Sequence, residues 1–212
     1  MSPAAPLHEL LRDPRLWRGD SVAPVRAQTT GHAALDAVLP GGGWPQAALS
    51  EVLYPHAGVG ELSLVLPLLA RTSRAGRPVI LACPEHLPYA PAFAAAGVAL
   101  ARLLVLEPPP GTGSHGETDT LWACEQMLHA GAGTVLLWSS DPDATALRRL
   151  QLAAESGDGI CILFRRATAR ARNQNSIAAL RLQVTRAQGQ PRVEVLKCRG
   201  ARPVGRYAVG SG

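Results

Sequence analysis

Residues Glu51 to Leu66, EVLYPHAGVGELSLVL, decide how the rest of the chain is read. An apolar run from Ala48 to Tyr54 leads in and predicts a strand, and Pro55 to Gly60 predicts a turn. Leu62 to Ala70 then predicts a helix. Strand, glycine turn and helix in that order are the setting of a phosphate-binding loop. Its pattern, G-x-x-x-x-G-K-[ST], brings a Lys to the β- and γ-phosphates and a hydroxyl to Mg²⁺. With Gly60 as the second glycine, Pro55 stands in place of the first. Glu61 replaces the Lys, and Leu62 replaces the Ser or Thr. An acid is where the base belongs, and a Leu cannot ligate a metal. The expectation is a nucleotide-binding fold without its nucleotide, in which Pro55, Gly58, Gly60, Glu61 and Leu62 are vestigial.

Outward from this stretch, strands and helices alternate. Before it, Thr29 to Leu39 predicts a helix capped by Thr29 or Thr30, with Ala34, Leu35, Val38 and Leu39 on its apolar face. After it come a helix to Arg74, a buried strand Pro78 to Cys83, a helix Tyr89 to Ala96 and a strand Leu103 to Leu106. Pro108 to Gly116 predicts a loop and Thr118 to Ala130 a helix. Thr134 to Trp138 then predicts a strand, Ala144 to Glu155 a helix and Gly159 to Phe164 a strand. Arg165 to Gln174 is basic and polar. Ala179 to Gln188 and Gln190 to Cys198 alternate apolar and polar residues, as an antiparallel hairpin turning at Gln188 to Gln190 would. The sum is an α/β fold, a mostly parallel sheet flanked by helices with a C-terminal antiparallel hairpin. The divisions are an N-terminal helix and linker at 1–28, a core at 29–203 and a flexible tail at 204–212.

A chain of 212 residues, with 47% apolar and 17% charged residues, suits one globular core. The formal net charge of +5 permits a nucleic-acid or acidic-protein partner, and equally fits an Arg-rich coding bias. The four cysteines form no C-x-x-C pair and no His lies at ligand spacing, so buried thiols in a reducing compartment are expected, with no metal and no cofactor. The N-terminus has scattered charges and no apolar core of a signal peptide, and no apolar run is long enough to span a membrane, so the expected compartment is the cytoplasm, with no membrane partner.

Thr29-Thr30-Gly31, Leu35-Asp36, Gly42-Gly43, Pro45 and Glu51, followed by Glu85-His86, Gly97-Val98, Leu103-Leu104 and the segment Val193 to Pro203, resemble the RecA recombinase core in order and spacing. Within that group the chain is most similar to the ImuA family, RecA-like accessory proteins of translesion synthesis. The features that carry this are Leu16 to Gly19 (LWRG), the degenerate loop, and an end soon after the hairpin. The SulA inhibitors of FtsZ-dependent cell division are the second choice within the group.

The resemblance implies a RecA-like P-loop core and three things to test in it. The loop fails at Glu61 and Leu62. The metal-binding acid that should close the strand Thr134 to Trp138 is absent, since Trp138 and Ser139 stand there and Asp141 comes about two positions late. Glu85 alone falls on the position of the family's catalytic acid. No G-x-S-x-G elbow offers a hydrolase instead. The expectation is a catalytically inactive adaptor in SOS-induced translesion synthesis that binds RecA and an ImuB-like Y-family polymerase homologue and modulates RecA filaments. The alternatives are a SulA-like inhibitor and an atypical ATPase.

Function is then expected at surfaces. Arg165, Arg166, Arg170 and Arg172 fall where the family meets single-stranded DNA, but without aromatic residues for stacking they imply weak, salt-sensitive contact. Lys197, Arg199 and Arg202 resemble residues that reach across a filament interface. Leu7, Leu10, Leu11, Leu16 and Trp17 form an amphipathic stripe that either packs on its own domain or serves as a partner arm.

Overall fold

The computed structural model describes residues 25–108, 113–200 and 205–209. The segment with Leu7, Leu10, Leu11, Leu16 and Trp17, and Arg202 near the other end, lie outside the described residues.

The strands are β1 (Ala27–Gln28), β2 (Trp44–Pro45), β3 (Ala48–Tyr54), β4 (Val79–Ala82), β5 (Leu103–Leu106), β6 (Thr134–Trp138), β7 (Ile160–Arg166), β8 (Leu180–Ala187), β9 (Gln190–Cys198) and β10 (Arg206–Ala208). The helices are α1 (Ala33–Asp36), α2 (Glu61–Arg74), α3 (Ala90–Ala95), α4 (Gly113–His129), α5 (Ala144–Ser156) and α6 (Ala169–Asn173). Eight strands form one sheet in the order β10-β9-β8-β3-β7-β6-β4-β5. From β5 to β8 the neighbours are parallel, and β9 and β10 are added antiparallel. This is the α/β architecture expected, with the hairpin in place. Ala187 pairs with Gln190 across a two-residue turn, Gln188 and Gly189, both at positive φ (53° and 78°). Such a turn matches the twist of the strands it joins.

All seven residues of β3 are buried, as a central parallel strand requires. Alternation along the strands divides the core in two. On β7, Ile160, Ile162 and Phe164 join the core under α2 with Leu64, Leu68 and Val52. Cys161 and Leu163 join the other, under α4 and α5, with Leu128, Leu147 and Leu150. Glu51 is the exception in β3. It is wholly buried, and its carboxylate accepts from Arg181 Nε at 2.9 Å, its register partner on β8, and from Ser176 Oγ. Arg181 also donates to the carbonyls of Gln174 (3.1 Å) and Ala171 (2.6 Å). Each charge has its partners, which burial demands.

Five local expectations are corrected. Thr29 to Leu39 is not one helix. Only Ala33–Asp36 is helical, because Asp36 accepts the Thr30 N–H (2.7 Å) and the hydroxyls of Thr29 and Thr30, which ties 29–31 into a turn. The loop expected to Gly116 ends earlier, since α4 begins at Gly113. The segment read as polar from Arg165 continues β7 to Arg166 and then forms α6, capped by Thr168, whose hydroxyl accepts the Ala171 N–H at 3.1 Å. Within the linker, Ala27–Gln28 pairs antiparallel with Trp44–Pro45. Within the expected flexible tail, Arg206–Ala208 pairs with β9. The first and third turn on side-chain contacts within a few residues, and the last two on strand pairing that local composition does not show.

Among the described residues no helix is long and apolar enough to cross a membrane. Among the same residues, no cluster of three or more His, Cys, Asp or Glu could hold a metal ion. The Cys124 thiol is buried and its pKa is pushed up to about 12, and that of Cys161 is raised further by the same cause.

Candidate functional site: the turn after β3 and the cleft beside it

The parallel strands all point the same way, so the loops leaving β3, β4, β6 and β7 gather at one end of the sheet. The chain leaves β4 outward to β5 but leaves β6 inward to β7, which opens a crevice between these strands. Open α/β sheets bind ligands at such a crevice.

The turn after β3 keeps the shape of an anion cradle. Gly58 and Gly60 take positive φ (84° and 107°), and α2 starts at Glu61, so backbone N–H groups converge at the head of a 14-residue helix. The cradle is filled from within. The Glu61 carboxylate is 6% exposed and turns back over the turn, accepting the Gly58 N–H on Oε1 at 2.9 Å and the Gly60 N–H on Oε2 at 3.1 Å. The head of a helix favours anions, and here the chain supplies one. Glu61 is that anion. Leu62, at the metal-ligand position, is half-buried and lines an apolar cleft of about 230 Å³ with Leu81, Pro84 and Phe93. Pro55 opens the turn, and its carbonyl accepts from Arg166 Nη1 at 3.1 Å.

Glu85 is equally engaged. Its carboxylate accepts the Tyr54 hydroxyl on one oxygen and Arg166 Nη2 on the other at 3.0 Å. Burial first, then this carboxylate, raises the Tyr54 pKa above its usual value. Arg166 also lies over the Tyr54 ring, 5.3 Å from its centroid, across the register pair Tyr54↔Arg166. Phe164 stacks on Trp138 at 4.7 Å and meets Tyr54 edge-on at 6.1 Å. This aromatic row lines one wall of a cavity of about 170 Å³ whose other walls include Cys83, Glu85 and Ser139, so apolar rings and a hydroxyl stand where an acid after β6 was expected. Ser139, next along, donates to Glu117.

The basic segment divides by strand parity. Arg166 is exposed at the rim of the cavity beside Tyr54 and Glu85. Arg165 points to the opposite face, where its side chain is 2% exposed and donates to Asp141 (3.3 Å) and Gln174 (3.1 Å). Its expected place on a DNA-facing surface is corrected, because continuing β7 by two residues forces neighbouring side chains to opposite faces. Asp141, the late acid after β6, is held by Arg165 and by Arg170 at 3.1 Å. Arg170 and Arg172 are exposed on α6, and Lys197 and Arg199 on or just beyond β9. Lys197 Nζ donates to the Ser176 carbonyl, and its pKa is lowered by burial first, then by Arg199 and Arg181.

The partners of Glu61 and Glu85 are what sequence reasoning missed. One signal was present for Glu61: an acid on the first residue of a helix, directly after a glycine turn, is where the helix dipole favours negative charge.

Fold and site together define a protein built like a phosphate-loop nucleotide binder whose cradle holds its own carboxylate. The chain is 28% identical over 207 residues to Protein ImuA of Caulobacter vibrioides (strain NA1000 / CB15N), covering 86% of this chain and 82% of that protein. It is 32% identical over 145 residues to Protein RecA of Methylobacterium sp. (strain 4-46), covering 68% of this chain and 37% of that RecA. Protein RecA of Chlorobaculum parvum (strain DSM 263 / NCIMB 8327) gives 29% over 147 residues, covering 69% of this chain and 40% of that RecA. The chain thus spans less than half the length of these RecA proteins. No family model matches it. The relationship to ImuA and RecA is distant, and the sheet observed is consistent with a RecA-like core.

Proposed function

We propose that this chain is a RecA-like accessory protein of the DNA-damage response that has lost nucleotide turnover and works by binding other proteins. The observation that carries the reading is the Glu61 carboxylate on the Gly58 and Gly60 N–H groups. A triphosphate would need those donors, would meet a carboxylate there, and would find neither the Lys nor the hydroxyl that hold its charge and its metal. Glu85, at the position of the family's catalytic acid, is bound by Tyr54 and Arg166. Similarity to ImuA over most of both chains supports a role beside RecA in SOS-induced translesion synthesis. In this reading the partners are RecA and an ImuB-like Y-family polymerase homologue. Lys197, Arg199 and Arg202 belong to the contact surface, and the Leu7 to Trp17 stripe is the docking arm. Arg170 and Arg172 add weak, salt-sensitive contact with single-stranded DNA.

Two measurements test it. Titration calorimetry with ATP and Mg²⁺ is expected to show no binding in the micromolar range, and micromolar binding would defeat the inactive reading. Co-purification with RecA and the ImuB-like protein is expected to succeed for the wild type and to weaken for Leu10→Asp and Leu11→Asp. Failure of the wild type to hold either partner would end the adaptor reading.

A further inference from the structure

The turn that Glu61 fills is fastened on its outer side to the tip of the β8–β9 hairpin. Arg186 Nη1 donates to the Gly58 carbonyl at 3.1 Å, while its Nε donates to the Gly189 carbonyl at 3.0 Å. One guanidinium therefore joins the hairpin turn to the loop. The Gly58 residue is held at both backbone groups, its N–H by Glu61 and its carbonyl by Arg186. Gly60 lies against Pro191 so closely that a Cβ there would come within 2.4 Å of the proline ring. Pro191 in turn accepts the Val209 N–H at 3.1 Å, just beyond β10. A continuous chain of contacts runs from the Glu61 carboxylate through Gly58 and Gly60 to the hairpin and the outermost strand.

We infer that Glu61 is a latch. Its carboxylate stands where a bound anion would sit and fixes the turn in the shape that receives Arg186 and Pro191. It thereby holds the β8–β9–β10 edge in one arrangement with no ligand. This rests on the reading of the loop as nucleotide-free and adds a role for the acid that replaced the Lys. The cradle is a permanently occupied switch, and the sheet edge bearing Lys197 is organised constitutively rather than on nucleotide binding. Glu61 and Arg186 act on opposite ends of one residue, so loosening either loosens what the other holds.

Amide hydrogen exchange on the full chain tests the latch. In Glu61→Ala, exchange at Gly58 and Gly60 is expected to rise about tenfold, and the amides of 186–190, Arg192 and Val209 are expected to speed up with them, while those of β6 and β7 stay as in the wild type. Glu61→Gln keeps one acceptor and should fall between. Acetate added to Glu61→Ala should restore protection at both the loop and the hairpin, and should leave the wild type unchanged. Arg186→Ala, which removes an exposed group, should loosen Gly58 and Gly60 from the other side. Hairpin exchange at the wild-type rate in Glu61→Ala would overturn the latch, as would loop exchange at the wild-type rate in Arg186→Ala or a failure of acetate to restore anything. These outcomes are separate from calorimetric ATP binding by the wild type, which defeats the nucleotide-free reading instead.

Discussion

The turn at 55–62 and the basic stretch at 165–174 both carry charges whose sign misleads. In the turn, an acid stands where a phosphate site calls for a cation, which reads as a broken site. Yet the acid is the group that completes it, because backbone N–H groups surround it. In the basic stretch, a row of arginines reads as a surface for a polyanion. Yet Arg165 is buried against Asp141, Arg166 is bound to Glu85, and Arg181 beneath them ties 171–174 to the buried Glu51. One region holds a charge with dipoles, the other with opposite charges. A charged residue is defined by the donors and acceptors within reach, and its sign alone says little about its role.

The comparison breaks most visibly at Arg181. Arg181→Met leaves Glu51 buried without a cation and should cost about 3–5 kcal/mol, read from the urea midpoint. Adding Glu51→Gln to the same chain should return part of the loss. If Arg181→Met unfolds like the wild type, the pair is not what anchors 171–174. In the turn, where dipoles do the holding, Glu61→Gln should cost about 1–2 kcal/mol in thermal unfolding, because one of the two N–H donors faces an amide instead of an acceptor. A cost equal to that of Arg181→Met would erase the distinction between the regions.

Asp36 sharpens the point, since it too is held by hydroxyls and an N–H. Burial raises its pKa, but hydrogen bonds from Thr29 and Thr30 outweigh that and leave it below the usual carboxylate value. A depressed folded-state pKa means the contribution is present above the unfolded value and is lost as pH falls through the folded one. Thermal stability followed downward from pH 5 should therefore drop more steeply in the wild type than in Asp36→Asn. The smallest effect belongs to the exposed pair: Arg170→Ala should change stability by less than about 1 kcal/mol. It should nonetheless lower any single-stranded DNA binding seen by fluorescence anisotropy at low salt, and unchanged binding would remove Arg170 from the proposed contact.

Much of the fold could be read from local pattern. The runs ALSEVLY and TVLLW coincide with β3 and β6 residue for residue, since a buried parallel strand is largely apolar, and LLVL coincides with β5 although Leu104 and Val105 are exposed at the sheet edge. The hairpin turn at Gln188 and Gly189 was legible because period-two alternation broke around a glycine. The short pairs β1–β2 and β9–β10 were not, because β1, β2 and β10 are only two or three residues long and too short to show a period.

Sequence by itself determined the strand–turn–helix unit, the absence of Lys and hydroxyl at its end, and the missing acid after β6, because each is a matter of which residue stands at which position. Tertiary structure decided where the charges went. Glu61 found two N–H donors only because the turn curls over the head of α2, and Arg165 found Asp141 only because β7 runs on past Phe164. Arg186 reached Gly58 only because the hairpin packs against the turn, 128 residues away along the chain. Residue identity sets the charge, and the fold sets its partners, because hydrogen bonds form over about 3 Å whatever the separation in sequence.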